Sequence, residues 1–245
     1  MKPRVQTSRG PDRDAALEQY RRRAGVYDRE LAILEPIRRL AISRLELRPG
    51  DVVFDVGCGT GLSLPMLKQR IGPNGRIVGI EQSPEMFEQA RRRVARARWS
   101  RVTLVCSPVE DANLRVRADA ALFHFTHDIL RRPEAIANVL GRLKPDARVV
   151  ASGLKWATPW LMRPVNWLVL PAALRSVTSL DGMDRPWRLL QEQLGPMDVE
   201  SRLLGGVYVA SGTRTTATRP RFRKESSNEI PQGNPACPAP RLEHR

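Results

Sequence analysis

The sequence predicts an α/β fold, a mostly parallel sheet doubly wound with helices on both faces, and three observations carry that reading. Short apolar runs alternate with helix-period segments from Asp51 to about Gly153. The runs are apolar nearly throughout, as strands covered on both faces must be. Finally, Val53-Phe54-Asp55-Val56 passes straight into Gly57-Cys58-Gly59-Thr60-Gly61, the strand-to-glycine turn from which a parallel sheet builds a ligand crevice at its carboxyl edge.

The elements follow in order. Residues 1–12 are expected to be disordered and Ala15 to Arg23 to form a polar helix. Asp28 to Glu46 carries Leu31, Leu34, Ile37, Leu40 and Leu45 near helical spacing, with Pro36 opening a second helical segment or kinking the first. Strand one is placed at 51–56 and a helix at Leu62 to Arg70, closed by Gly72. Strand two covers 76–81. Ser83 then caps a helix that Pro84 opens and that runs to about Ala97. Strand three is 102–106, strand four Asp119 to Phe125, the next helix Pro133 to Leu143, and strand five 147–153. Strands near 197–204 and 206–212 close the sheet. The division is one domain over 13–212, with cap helices at 13–46 and a Trp-, Pro- and Leu-rich insert at 156–194. From 213 to 245 follows a basic, proline-rich tail that cannot bury enough apolar surface to fold alone.

The glycines constrain the ligand. A dinucleotide turn reads Gly-x-Gly-x-x-Gly, whereas here the third glycine, Gly61, comes one residue early and Leu62 takes its place. A carboxylate at Asp55 would repel a pyrophosphate and favour a ligand with an ammonium group. Glu81, ending strand two 20 residues after Gly61, can accept hydrogen bonds from two ribose hydroxyls, a device NAD enzymes share. It can equally be a solvated helix cap beside Ser83. Spacing and Asp55 therefore do the discriminating.

With these residues the chain resembles a class I S-adenosylmethionine (SAM)-dependent methyltransferase. Asp55 to Gly61 matches the family's acid-x-Gly-x-Gly-x-Gly motif, Glu81 its second acid, and Leu143-Lys144-Pro145-Asp146-Ala147-Arg148 the segment before its fifth strand. The resemblance spans about Tyr20 to Arg214. It implies a Rossmann-like seven-stranded sheet in the order 3-2-1-4-5-7-6, the last strand antiparallel. It also implies SAM held by Asp55, Gly57, Cys58, Gly59, Thr60 and Gly61, by Glu81 and Gln82, and by His124. After strand three the family often has an Asp near the adenine amino group; here Pro108 stands there, leaving Glu110, Asp111 or the backbone around Val109 for that task. Tyr27-Asp28, seven residues after Tyr20, resembles an element of the quinone and phospholipid methylating branches. Tyr27 is then a candidate to cover the methionyl end of SAM, an aromatic face suiting a sulfonium, with ordinary helix packing as the alternative.

Beyond strand four, Phe123-His124-Phe125-Thr126-His127-Asp128 falls where family acceptor sites lie. His127 is a candidate general base, since an imidazole titrates near neutrality. Asp128 is a candidate to orient it or hold an ammonium, and the pair is alternatively a helix entry capped by Asp128. The stretch with Trp156, Trp160, Trp167 and Trp187 reads as a lid over an apolar pocket, as core, or as a segment dipping into a membrane interface.

The net charge of +15 suggests nucleic acid, but residues 1–24 and 213–245 each carry +4, so over half of it lies in the tails. An anionic membrane surface fits equally well. No recognition module and no Asn-Pro-Pro-Tyr base site support an RNA methyltransferase, so nucleic acid is disfavoured. Three cysteines, Cys58, Cys106 and Cys237, make no disulfide framework or metal spacing; Cys58 and Cys106 read as small buried residues. No metal is expected. The first residues lack a signal peptide's apolar core, and no apolar run reaches the ~18 residues of a membrane span, so a cytoplasmic enzyme is the default. The expected function is methyl transfer from SAM to a small-molecule or lipid-like acceptor by in-line displacement. The alternatives are RNA methylation and a SAM-binding regulator or scaffold without turnover.

Overall fold

The computed structural model describes residues 34–157 and 182–215. The helix expected at Ala15 to Arg23, Tyr20, Tyr27, Trp160, Trp167 and the tail after Thr215 lie outside the described residues.

Helix α1 (Glu35–Arg44) leads into strand β1 (Val52–Val56) and helix α2 (Leu64–Ile71). Then come β2 (Arg76–Glu81), α3 (Pro84–Ala97) and β3 (Val102–Cys106). A 3₁₀ turn (Val109–Asp111) precedes β4 (Ala118–His124), the single-turn α4 (His127–Leu130), α5 (Pro133–Gly141) and β5 (Leu143–Leu154). After α6 (Arg188–Leu194), strands β6 (Asp198–Arg202) and β7 (Val207–Thr213) complete one seven-stranded sheet. Its order is β3-β2-β1-β4-β5-β7-β6. The first five strands pair parallel, and β7 runs antiparallel to both β5 and β6. This is the expected Rossmann-like topology. It brings the carboxyl ends of β1 and β4, neighbours either side of the strand-order reversal, to one crevice.

Strand periodicity supplies two cores. Val53, Ala120 and Leu122 point to the face covered by α1 and α2; Phe54, Val56, Ala121 and Phe123 point to the other. Each fully buried side chain of this size contributes roughly 1.5–3 kcal/mol, which is why period-two alternation fixes the register. Helix ends follow local chemistry. The Ser83 hydroxyl accepts from the Met86 N–H at 3.3 Å, capping α3 as the sequence predicts. Pro36 sits in the first turn of α1, where a missing N–H is harmless.

Three boundaries move. Helix α2 begins at Leu64 rather than Leu62, because Gly61 to Ser63 complete a turn in which Leu64 N–H reaches the Gly61 carbonyl at 3.2 Å. Helix α5 stops at Gly141, and Leu143 already pairs with Ala118 in the sheet. The register then shifts between Ala118 and Ala120, where Asp146 takes a φ of 61°; such a bulge lets Pro145 sit inside a strand. Within the insert, Trp187, Leu190 and Leu194 are buried in the core, and the Trp187 ring lies 4.9 Å from that of Tyr208. Cys58 is a buried free thiol. Cys106, read as a small buried residue, is half-buried at the end of β3.

Candidate functional site

The crevice forms where β1 gives way to its glycine turn. Gly57, Gly59 and Gly61 adopt φ of 68°, 56° and 81°, angles that only glycine takes without strain. Gly57 is also constrained by space: a Cβ there would lie 2.6 Å from Thr126 Cγ2 and 2.8 Å from Ile129 Cδ1. The turn is thereby locked against the loop that follows β4. Two adjoining cavities share Gly57, Gly59, His124 and Phe125 on their walls.

The first cavity is lined on one side by Ile80, Glu81, Gln82 and Met86, and on the other by Val109, Thr126, Asp128 and Ile129. Glu81 is buried, and its carboxylate accepts from Gly59 N–H at 2.9 Å and Ser83 N–H at 2.8 Å. Burial pushes its pKa up; the N–H groups of Ser83, Gly59 and Gln82 pull the other way. Each carboxylate oxygen can accept more than one hydrogen bond, so Glu81 keeps capacity toward the cavity.

The second cavity gathers Arg38, Asp55 and His124 with Cys58, Thr60, Leu62 and Ser63. Here three buried polar atoms have no hydrogen-bond partner: Asp55 Oδ2, Arg38 Nε and His124 Nε2. Such groups cost about 1–3 kcal/mol each when left unmade. Burial raises the Asp55 pKa to about 7; the Arg38 charge opposes this and the Glu81 charge adds to it. Burial, assisted by Arg38, lowers the His124 pKa to about 3, so the ring is neutral. His124 Nδ1 is held by Ser152 Oγ at 2.7 Å. Arg38 is itself tied to Glu35 at 2.6 Å on α1. Cys58 is pushed well above the usual thiol range, by burial first and then by Asp55 and Glu81.

The structure thus brings Asp55, Gly57, Cys58, Gly59, Thr60, Glu81, Gln82, Val109, His124 and Asp128 to one connected crevice. Gly61 stands behind it, where a Cβ would meet Leu64 and Ala90. Glu110 turns to an ion pair with Arg132 at 3.1 Å, leaving Val109 on the wall. His127 is buried on α4, behind the wall that Thr126, Asp128 and Ile129 make. Tyr27 lies outside the described residues. Sequence reasoning passed over Arg38, Met86, Ile129 and Ser152. Arg38 left a signal: it lies four residues after Leu34 and three before Ala41, on the apolar stripe of α1, where a charge needs a reason.

Residues 53–146 match the methyltransferase domain family. An uncharacterized 37.1 kDa protein in a transposon of Streptomyces fradiae is 33% identical over 123 residues, 49% of this chain and 34% of that protein. A trans-aconitate 2-methyltransferase of Pseudomonas paraeruginosa is 31% identical over 115 residues, 47% of this chain and 40% of that enzyme. The chain therefore spans well under half the length of these curated relatives. Among solved structures, a SAM-dependent methyltransferase from Aquifex aeolicus aligns with a TM-score of 0.51 at 18% identity, covering 73% of this chain and 89% of that one. The N-methyltransferase NodS from Bradyrhizobium japonicum, in complex with S-adenosylhomocysteine, aligns with a TM-score of 0.53 at 18% identity, covering 74% and 87%. The solved structures show the fold, and residues 53–146 are similar to the methyltransferase domain family.

Proposed function

We propose that the protein transfers a methyl group from SAM to a small-molecule acceptor, by direct displacement in the crevice at the carboxyl edge of β1 and β4. One observation carries this reading. A buried acid, Asp55, and a buried base, Arg38, each present an unpartnered polar atom in the same cavity, and an α-amino acid group with its ammonium and carboxylate satisfies both. The rest of the crevice suits a nucleoside: Glu81 for ribose hydroxyls, and Ile80, Met86 and Val109 as apolar walls for a flat base. When bound, SAM would supply a methyl group already activated on a sulfonium.

The protein's own share is then binding, alignment and exclusion of water. Positioning alone supplies up to ~7–11 kcal/mol in favourable cases. Asp55 and Arg38 fix the amino-acid end, and the locked contact of Gly57 with Thr126 and Ile129 fixes the acceptor side relative to it. Asp128, on the crevice wall, is the side chain placed to meet the acceptor or take its proton. His127, buried on α4, is the further candidate for a general base, and Tyr27 the candidate cover for the methionyl end. The acceptors printed in the names of relatives differ among themselves, trans-aconitate, arsenite and protein L-isoaspartate, so none is carried over singly. The affinity for the quinone and phospholipid branch rests on Tyr27-Asp28.

Calorimetric titration with SAM and S-adenosylhomocysteine, with NADH as control, tests the reading. Micromolar binding of the first two alone is expected. Binding of NADH, or of none of the three, overturns it.

A further inference from the structure

A third cavity, of about 380 Å³, opens beside the crevice on the other side of α4. Within that single turn the roles divide by residue. Asp128 and Ile129 face the methyl-transfer crevice, whereas Leu130 and the following Arg131 face this cavity. At 1.5 Å of rise per residue, Asp128 and Arg131 are separated by only ~4.5 Å along the helix axis. The opposite wall comes from the chain entering α6, including Asp184, Arg185, Arg188 and Leu189.

Among the described residues, the lining carries three guanidinium groups, Arg131, Arg185 and Arg188, and one carboxylate, Asp184. Two of them, Arg185 and Arg188, are weakly neutralised among the described residues. Arg188 has Glu192 at 3.6 Å, with 70% and 49% of the two side chains exposed, a pair of small worth in water. Arg185 is exposed and forms no ion pair among the described residues. Arg131 Nε lies 4.0 Å from where a Cβ on Gly182 would be, and Gly182 takes a φ of 74°. Gly182 in turn begins the tight turn closed by Arg185 N–H on its carbonyl at 3.2 Å, and Arg188 N–H bonds the Arg185 carbonyl at 3.0 Å. The turn thus fixes the backbone from which Arg185 and Arg188 project. Guanidinium groups present planar donor forks matched to carboxylate and phosphate oxygens, and a cavity of this volume lies within the range of small-molecule sites.

We infer that this cavity is the anion-binding subsite for the methyl acceptor. The acceptor is therefore a small molecule bearing a carboxylate or phosphate group, with its nucleophilic atom reaching past α4 to the crevice. The inference rests on the methyl-transfer reading for the identity of the neighbouring site. It replaces the apolar pocket expected behind the insert, at least along residues 182–189, with a cationic one.

Full-length protein is titrated calorimetrically, at low ionic strength, with citrate and with inorganic phosphate, each with and without S-adenosylhomocysteine. Saturable binding of at least one anion is expected, and which of them binds separates a carboxylate from a phosphate acceptor. Arg185→Gln and Arg188→Gln should each weaken that binding at least tenfold, while Arg96→Gln, on the exposed side of α3, leaves it unchanged. Both target side chains are solvent-exposed, so the variants fold, and their unchanged affinity for SAM verifies it. Anion affinity should also shift at least twofold when S-adenosylhomocysteine is bound, since adjacent sites are coupled and the coupling is reciprocal. No saturable binding, an equal loss in Arg96→Gln, or affinity indifferent to S-adenosylhomocysteine overturns the subsite while leaving the methyltransferase reading intact. Failure of SAM itself to bind the wild-type protein sinks the reading beneath it.

Discussion

Asp55 and Asp119 stand on adjacent strands of one sheet, at opposite edges, and their surroundings differ in a telling way. Asp119, near the start of β4, is satisfied: its Oδ2 accepts from Val52 N–H at 2.9 Å and its two oxygens take Lys144 Nζ at 2.8 and 2.9 Å. Asp55, at the end of β1, is more deeply buried, yet its Oδ2 has no partner. The first carboxylate ties β1, β4 and the start of β5 together. The second is a cost of about 1–3 kcal/mol, which on the function proposed above the ammonium of the cofactor offsets. Asp119, at the amino edge of the sheet, serves the fold; Asp55, at the carboxyl edge, is the group proposed to serve a ligand.

The comparison breaks most completely at Gly57. In Gly57→Ala the new methyl meets Thr126 and Ile129 at 2.6 and 2.8 Å, at a φ of 68°. Strain and overpacking should cost about 2–4 kcal/mol, and SAM binding by calorimetry should be abolished because the turn must move. A protein that still binds SAM normally would show that the turn is not the cradle.

The two aspartates should then part company. Asp55→Asn is expected to weaken SAM binding ~10–100-fold, the worth of a charge-assisted contact, without loss of stability. Asp119→Asn should leave SAM affinity alone and cost about 1–2 kcal/mol in denaturant melts. The sign of the pH effect is specific. A folded-state pKa of about 7, raised from 3.8, means that the native state holds this proton more tightly than the unfolded chain does. The stabilising contribution is complete below about pH 4 and is lost as pH rises through 7, at about 1.4 kcal/mol per unit. Asp55→Asn should therefore be the more stable protein at pH 8. Equal effects of the two substitutions on SAM affinity would erase the distinction between the edges.

Cofactor binding should follow the same proton. An ammonium beside Asp55 favours the carboxylate, so binding near pH 7 releases a proton and SAM affinity rises between pH 6 and 8, by up to about tenfold. Asp55→Asn should flatten that profile. Calorimetry in two buffers of different ionisation heat measures the released proton directly, and a flat wild-type profile would assign the pH sensitivity elsewhere.

Most of the sheet was legible because period and punctuation agree: β2, α3 and β3 fall where the apolar runs at 76–81 and 102–106 and the Ser83-Pro84 start place them. The bulge at Pro145-Asp146 was not, since only pairing with Ala118 reveals that Leu143 has left the helix. In the site, Asp55, the glycines and Glu81 are contiguous with recognisable strands and could be read directly. Arg38 could not be assigned, because it reaches the crevice from α1 through tertiary packing, and Ser152 becomes visible only when β5 lies beside β4 in register with His124.

The smallest expected effect sharpens the comparison at the crevice itself. Glu110 was a candidate for the adenine end because it follows strand three by a few residues. In the fold it faces Arg132 at 3.1 Å, with both side chains partly buried, while the turn it belongs to is pinned by Asn138 Nδ2 on the carbonyls of Val109 and Ala112 at 2.7 and 2.9 Å. Glu110 is thus a partnered group close to the site, like Asp119 rather than Asp55. Glu110→Gln should change stability by under about 1 kcal/mol and SAM affinity less than threefold. Asn138→Ala, which frees the turn and with it the Val109 wall, should weaken SAM more than Glu110→Gln does. If Glu110→Gln costs tenfold or more in SAM affinity at unchanged stability, the carboxylate exchanges Arg132 for the cofactor on binding, and partnering in the ligand-free state ceases to be a guide to which groups the site uses.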